Sequence, residues 1–243
     1  MMQSYTELQI DKKINKTSFY VPCNSEYFNQ WAKVFVLSAK QLVPWINIHC
    51  HIFDITEKDK NWCKKHNVTF TEEITPPQYQ TIEEKKGYWV NVRFCRVLEI
   101  FDDSTTVMCV DADCVVMKEI TEEEFIKDTV TDWVVVREKG TGSIGSCVVF
   151  SANCPARFIV KERLIAEATK DDFVWYLDQI TFDKLIDENI LQPFSVKYSD
   201  HRCSENNKIW TGKGNRKFKK NNKKRRYSNI VEEYQLHYPT EFL

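Results

Sequence analysis

The chain alternates between short apolar runs and longer amphipathic stretches. Trp45–Phe53 alternates strictly, with Ile46, Ile48, Cys50 and Ile52 on one side, which is the period of a half-buried strand. Phe19–Val21 predicts a short strand before it. Ser25 offers an N-cap for a helix running to about Ala39, in which Phe28, Trp31, Phe35 and Val36 stand near helical spacing. Further helices are expected over Glu57–Lys65 and over Gly87–Phe101, where Phe94, Val97, Leu98 and Phe101 fall at i, i+3, i+4 and i+7. Thr106–Val110 is an unbroken apolar strand that ends abruptly in Asp-Ala-Asp. Strands over Trp133–Val136 and Cys147–Phe150, and helices over Ala156–Ala168 and Tyr176–Glu188, complete the pattern. Such alternation predicts an α/β domain layered around a mostly parallel sheet. Open α/β sheets bind ligands beyond the carboxyl ends of their strands, which is where the acidic pair after Val110 falls.

Composition narrows the class. The 243 residues are 42% hydrophobic and 28% charged, values of an ordinary globular domain. No stretch approaches the ~18 apolar residues of a membrane span. The N-terminal MMQSYTELQIDKKINK lacks the apolar core of a signal peptide. No internal repeat or Gly/Ser/Pro linker divides the chain, and Thr75-Pro76-Pro77 reads as a loop. The expectation is one soluble, cytoplasmic domain over residues 1–243. Nine cysteines are scattered singly without a CxxC pair, which predicts reduced, buried thiols and no structural zinc. A net charge of −1 gives no global attraction to an anionic polymer. It hides one asymmetry: Lys213–Arg226 reads KGNRKFKKNNKKRR, nine basic residues and no acid.

The strongest candidate chemistry is VMCVDADCVVMKEI. A buried strand that delivers two carboxylates to its exit is costly unless a cation or donor groups meet them. Asp111 and Asp113, at i and i+2 on an extended turn, suit Mg²⁺ or Mn²⁺, which takes one or two carboxylates plus phosphate oxygens and water. Three other patterns carry less. Gly140–Gly145 spells GxGxxG, but a strand follows it rather than a helix, so a flexible loop beside the active site is expected instead of a dinucleotide site. His49 and His51 share a strand face, expected to be solvated rather than metal-binding. The WTGKG segment lacks P-loop spacing.

In family order, YVPCNSEYFNQWAKVFVLSAKQL, YWVNVRFCRVLEIFDDSTTVMCVDADCVV, GSCVVFSAN and FVWYLDQITFDKLI resemble the GT-A glycosyltransferases, most closely the glycogenin-like and lipopolysaccharide-galactosyltransferase families. The resemblance spans about Phe19 to Glu188. It implies a single GT-A (Rossmann-like) domain and a nucleotide-diphosphate sugar donor, with a UDP-sugar favoured. It further implies that Asp111 contacts ribose and metal, and Asp113 metal and diphosphate. Asn24 and Tyr27 would border the base, Arg93 would steady the donor phosphates or the acidic pair, and Asp178 and Gln179 would face the sugar and the reacting centre. Retention of anomeric configuration is the family expectation. The chain departs from the family near its end, where KIWTGKGNRK places Trp210 near the position of the usual metal-binding His. Gly212, Lys213, Gly214, Arg216 and Lys217 can still wrap a diphosphate, and His201 and His237 are candidates for the third metal ligand. Two acceptor classes stand open: a carbohydrate, or a nucleic acid such as the modified bases of phage-like DNA, docked on the basic segment at about 208–228. The rival functions are a nucleotidyltransferase and a non-enzymatic nucleic-acid-binding module.

Overall fold

The computed structural model describes residues 5–129, 134–138, 143–168, 176–194, 196–212 and 226–242. In chain order the elements begin with β1 (Ser18–Asn24), α1 (Ser25–Tyr27), a π-helical turn (Phe28–Ala32) and α2 (Lys33–Leu42). Next come β2 (Asn47–Phe53), α3 (Glu57–Lys65), β3 (Thr69–Glu73) and the long α4 (Ile82–Ile100). They are followed by β4 (Val107–Val110), β5 (Cys114–Val116), α5 (Glu122–Thr129), β6 (Val134–Glu138) and β7 (Ser143–Phe150). The last are α6 (Ala156–Ala168), α7 (Leu177–Asp187), β8 (Leu191–Phe194), β9 (Ile209–Thr211), α8 (Arg226–His237) and α9 (Pro239–Phe242).

Seven strands form one sheet in the order β3-β2-β1-β4-β7-β6-β8. Strands β3, β2, β1 and β4 are mutually parallel, β8 is parallel to β6, and β7 is antiparallel to both of its neighbours. The sheet is thus mostly parallel, with β7 as its reversed strand. On one face Phe19, Val21, Ile48, Cys50 and Ile52 pack against Phe35, Val36 and Ala39 of α2 and Trp62 of α3. On the other, Phe94, Val97 and Leu98 of α4 pack with Val160, Leu164, Phe182 and Leu185 of α6 and α7. A separate two-stranded sheet pairs β5 with β9.

Three sequence expectations change. β2 is buried on both faces rather than half-buried, because a parallel strand between two neighbours is covered on each side. His49 and His51 are therefore core residues, not a solvated face. Thr69 and Thr71 Oγ1 bond the two nitrogens of His49 at 3.0 and 3.1 Å, and Thr71 and Glu73 bond those of His51 at 2.8 and 2.9 Å. The first helix is capped by Asn24 rather than Ser25; its Oδ1 accepts the Tyr27 N–H at 3.1 Å. α4 starts at Ile82, five residues before Gly87, because Thr81 and Glu84 build a reciprocal capping box. All nine cysteines are buried and none forms a disulfide. Among the described residues no helix is long and apolar enough to cross a membrane.

Candidate active site

The fully buried β4 leaves the sheet at Asp111. The Asp111 N–H donates to the Ser146 carbonyl on β7 at 3.1 Å, and the Cys114 N–H returns to the Asp111 carbonyl at 3.0 Å. This turn holds Asp111, Ala112 and Asp113 at the carboxyl end of the strand. The carbonyl of Asp113 accepts two further bonds, from the Gly212 N–H at 2.9 Å and from the Tyr227 hydroxyl at 2.7 Å. The residues that precede and follow the basic run are both fastened to Asp113 in this way.

Arg93, on α4, reaches the same turn. Its Nη1 lies 2.6 Å from Asp111 Oδ1 and its Nη2 lies 3.1 Å from Asp178 Oδ2. Burial opposes the charged guanidinium, but Asp111 and Asp178 outweigh it and hold Arg93 above its ordinary value. Asp178 stands in the first turn of α7. Burial pushes its carboxyl up to about 6, although Arg93 and the Gln179 N–H pull the other way. Asn91, two residues before Arg93, fixes the start of α7: its Oδ1 accepts the Asp178 N–H at 3.0 Å and its Nδ2 donates to the Gly87 carbonyl at 2.7 Å.

These elements surround a cavity of about 1030 Å³. Asn24, Tyr27, Arg93, Asp111, Asp113, Asp178 and Gln179 all line it, so seven residues singled out in the sequence converge there. Ser146, Trp89 and Tyr176 line it as well, without having been expected. Lys213, Gly214, Arg216 and Lys217 lie outside the described residues. Trp210 is a core residue, packed with Trp31, Val115 and Tyr227. Ser143–Gly145, the end of the GxGxxG string, belongs to β7 rather than to a loop, and Gly140 lies outside the described residues.

A divalent metal suits the donor set. Asp111 and Asp113 offer hard carboxylate oxygens on one turn, and the described residues contain no group of three His, Cys, Asp or Glu that forms a complete protein site. Mg²⁺ and Mn²⁺ accept two carboxylates with the rest of the shell made of phosphate oxygens and water. Neither candidate histidine lines the cavity. His201 Nδ1 sits 3.4 Å from the Thr211 carbonyl, beside the strand that ends at Gly212. His237 is ten residues along α8 from Tyr227, about 15 Å at the rise of a helix.

The mostly parallel sheet, with its cavity at the carboxyl end of the central strand, is that of the GT-A fold. Solved structures agree. The chain is similar to the galactosyltransferase LgtC in complex with donor and acceptor sugar analogues, at 10% identity and TM-score 0.64, covering 89% of this chain and 96% of that one. Mouse xyloside xylosyltransferase 1 aligns at 11% identity and TM-score 0.56 over 83% and 99% of the two chains. The glycosyltransferase GlyE of Streptococcus pneumoniae aligns at 10% identity and TM-score 0.60 over 92% of this chain and 64% of its own. No family model and no curated protein matches the sequence.

Proposed function

We propose that the protein is a metal-dependent glycosyltransferase that takes a sugar from a nucleotide-diphosphate donor, with a UDP-sugar favoured, and that residues 1–243 serve this reaction as one GT-A unit. The observation that carries the reading is the convergence of Asn24, Tyr27, Arg93, Asp111, Asp113, Asp178 and Gln179 on one cavity at the carboxyl end of β4.

Mn²⁺ or Mg²⁺, held by Asp111 and Asp113, would supply Lewis-acid stabilisation to the departing diphosphate. The exposed Tyr27 would stack on the base, with Asn24 beside it at the end of β1. Arg93 orients the acidic turn by its bond to Asp111 and carries positive charge to the place where the leaving group becomes negative. Lys213, Arg216 and Lys217, which follow Gly212, would add charge to the diphosphate, with Gly212 and Gly214 allowing close backbone approach. Gln179 would bond sugar hydroxyls. Asp178 already accepts bonds on both oxygens, from the Gln179 N–H at 2.8 Å and from Arg93. It is fully buried, so it is poorly placed to take a proton from an acceptor hydroxyl, which favours retention over an inverting base mechanism.

Isothermal titration with UDP, with and without Mn²⁺, tests the reading. Binding to the wild type should tighten at least tenfold with Mn²⁺, and Asp113→Asn should lose most of that gain while keeping its fold. Metal-independent binding in both proteins would remove the DxD assignment.

A further inference from the structure

The peptide group that follows Asp113 is held at both of its ends. Its N–H, on Cys114, donates to the Asp111 carbonyl at 3.0 Å. Its oxygen, on Asp113, accepts the Gly212 N–H at 2.9 Å and the Tyr227 hydroxyl at 2.7 Å. A carbonyl has two lone pairs, and the Gly212 bond alone spares this one the cost of burial without a partner. The Tyr227 bond therefore adds orientation. Donors from two separate elements fix the plane of the peptide, and with it the backbone rotation that sets the direction of the Asp113 side chain. That side chain lines the cavity from a residue only 6% exposed, so the backbone leaves its carboxylate little room to correct a misplaced turn.

The docking of α8 has other support. The Tyr227 ring, 3% exposed, lies against Trp31 with centroids 6.0 Å apart, and packs with Val34, Val115, Trp210 and Val231. Further along, the Tyr234 hydroxyl donates to Gln41 Oε1 at 3.2 Å and Lys33 Nζ donates to the Glu241 carbonyl at 2.9 Å. The Glu241 carboxylate meets Lys65 at 2.7 Å and His66 at 2.6 Å. These contacts fasten α8 and α9 to α2 and α3, and none of them uses the Tyr227 hydroxyl. Its bond goes instead to the backbone of a residue that the donor reading makes a metal ligand. Removing a bond that orients a metal-binding group commonly lowers metal affinity by about ten- to a hundredfold.

We propose that Tyr227 is a positioning residue for the metal: its hydroxyl, brought in by the docked α8, sets the direction of the Asp113 carboxylate. This rests on the glycosyl-transfer reading, and one experiment separates the two. UDP is titrated into wild type, Tyr227→Phe and Val231→Ala, each without metal and over a series of Mn²⁺ concentrations, with circular dichroism and thermal melts on the metal-free proteins. Tyr227→Phe keeps the ring in its packing and removes only the hydroxyl. Val231→Ala weakens the same packing and leaves the hydroxyl in place. In Tyr227→Phe the Mn²⁺ concentration for half-maximal tightening of UDP binding should rise at least tenfold, while metal-free UDP affinity stays within about twofold. In Val231→Ala Tm should fall and the Mn²⁺ requirement should stay within about twofold. The basic residues between Gly212 and Tyr227 define the rival role, in which the hydroxyl serves UDP by holding that segment. Lysine and arginine attract phosphate with or without metal, so that role predicts a parallel loss of metal-free and metal-supported affinity in Tyr227→Phe. Such a parallel loss would overturn the proposal. An unmoved Mn²⁺ requirement in Tyr227→Phe, an equal rise in Val231→Ala, or a Tyr227→Phe protein that does not fold would do so too. Wild type that binds UDP equally with and without Mn²⁺ would sink the metal-dependent reading itself, and this proposal with it.

Discussion

Two arginines one helical turn apart on α4 make the same chemical arrangement for different ends. Arg96 and Arg93 each sit between two carboxylates. Arg96 grips Glu73 with Nε and Nη2 at 2.7 and 2.6 Å, and gives Nη1 to Glu99 at 2.7 Å. Around it Tyr88 and His51 also bond Glu73, and Tyr5 bonds Glu99. Burial tends to raise the Glu73 carboxyl, but the bonds from His51 and Arg96 outweigh it and hold Glu73 at about 2. The arginine and both acids there are closed off, with Arg96, Glu73 and Glu99 side chains 3%, 7% and 6% exposed, and Lys161 reaches Glu99 from the rim at 2.9 Å. Around Arg93 the side-chain exposures are 12% for the arginine and 29% for Asp111. That centre opens on the cavity through Asp111, while Asp178, with its side chain 1% exposed, is closed off. A buried ion network that is closed specifies the fold. The same network opened on one side becomes a place where a cation or a phosphate can exchange with the protein's own groups.

The comparison yields opposite mutational signatures. The largest effect is expected at the closed centre. Arg96→Met leaves Glu73 buried without its cation and Glu99 with Lys161 alone, and should cost about 3–5 kcal/mol, lowering Tm by roughly 10 °C in a chain of this size. Thermal melts check it, and a shift under about 2 °C would deny the network a structural role. Arg93→Lys keeps the charge but loses the fork that spans Asp111 and Asp178. It should lower sugar transfer by about a hundredfold, some 2.7 kcal/mol in the barrier, with a much smaller change in Tm. If the two variants show the same balance of lost stability and lost turnover, the distinction between the centres fails.

The smallest effect concerns pH, and the two regions have opposite signs. The folded Asp178 carboxyl lies at about 6, above the ordinary 3.8. The fold therefore holds the Asp178 proton more tightly than the unfolded chain does, and stability is lost as pH rises from about 4 to about 6. Asp178→Asn removes this titrating group, so the wild type's loss of stability between about pH 4 and about pH 6 should be absent from the metal-free variant. In the closed region, burial lowers His49 from 6.5 to about 3. Its contribution is complete above pH 6.5 and is lost as pH falls toward 3. Melts of wild type and Asp178→Asn across pH 4–8 resolve the two limbs.

The open centre was largely legible in the sequence, and the closed one was not. Asp111 and Asp113 stand out because carboxylates at the end of an apolar run demand a partner, whereas Arg93, on the helix just before them, is picked out only by the resemblance to the GT-A glycosyltransferases. Asn91 and Tyr227 carry no such mark, since their roles depend on Asp178 and Asp113, which only the fold brings near. His49 and His51 alternate with apolar residues and so read as a wetted face. Their partners, Thr69, Thr71 and Glu73, come from β3, a five-residue strand with no clear period. The three-residue β5 and β9 are also too short for periodicity to reveal. Yet they are what bring Gly212 back to Asp113.

The most direct test of the account is a donor-turnover screen, in which release of nucleoside diphosphate from a panel of nucleotide sugars is measured with Mn²⁺, with EDTA, and with Asp113→Asn. The account predicts release from at least one donor, UDP-sugars first, that EDTA abolishes and that Asp113→Asn lowers by about three orders of magnitude, as loss of several kcal/mol of charge stabilisation requires. No release from any donor, or release that survives both EDTA and the substitution, would contradict it.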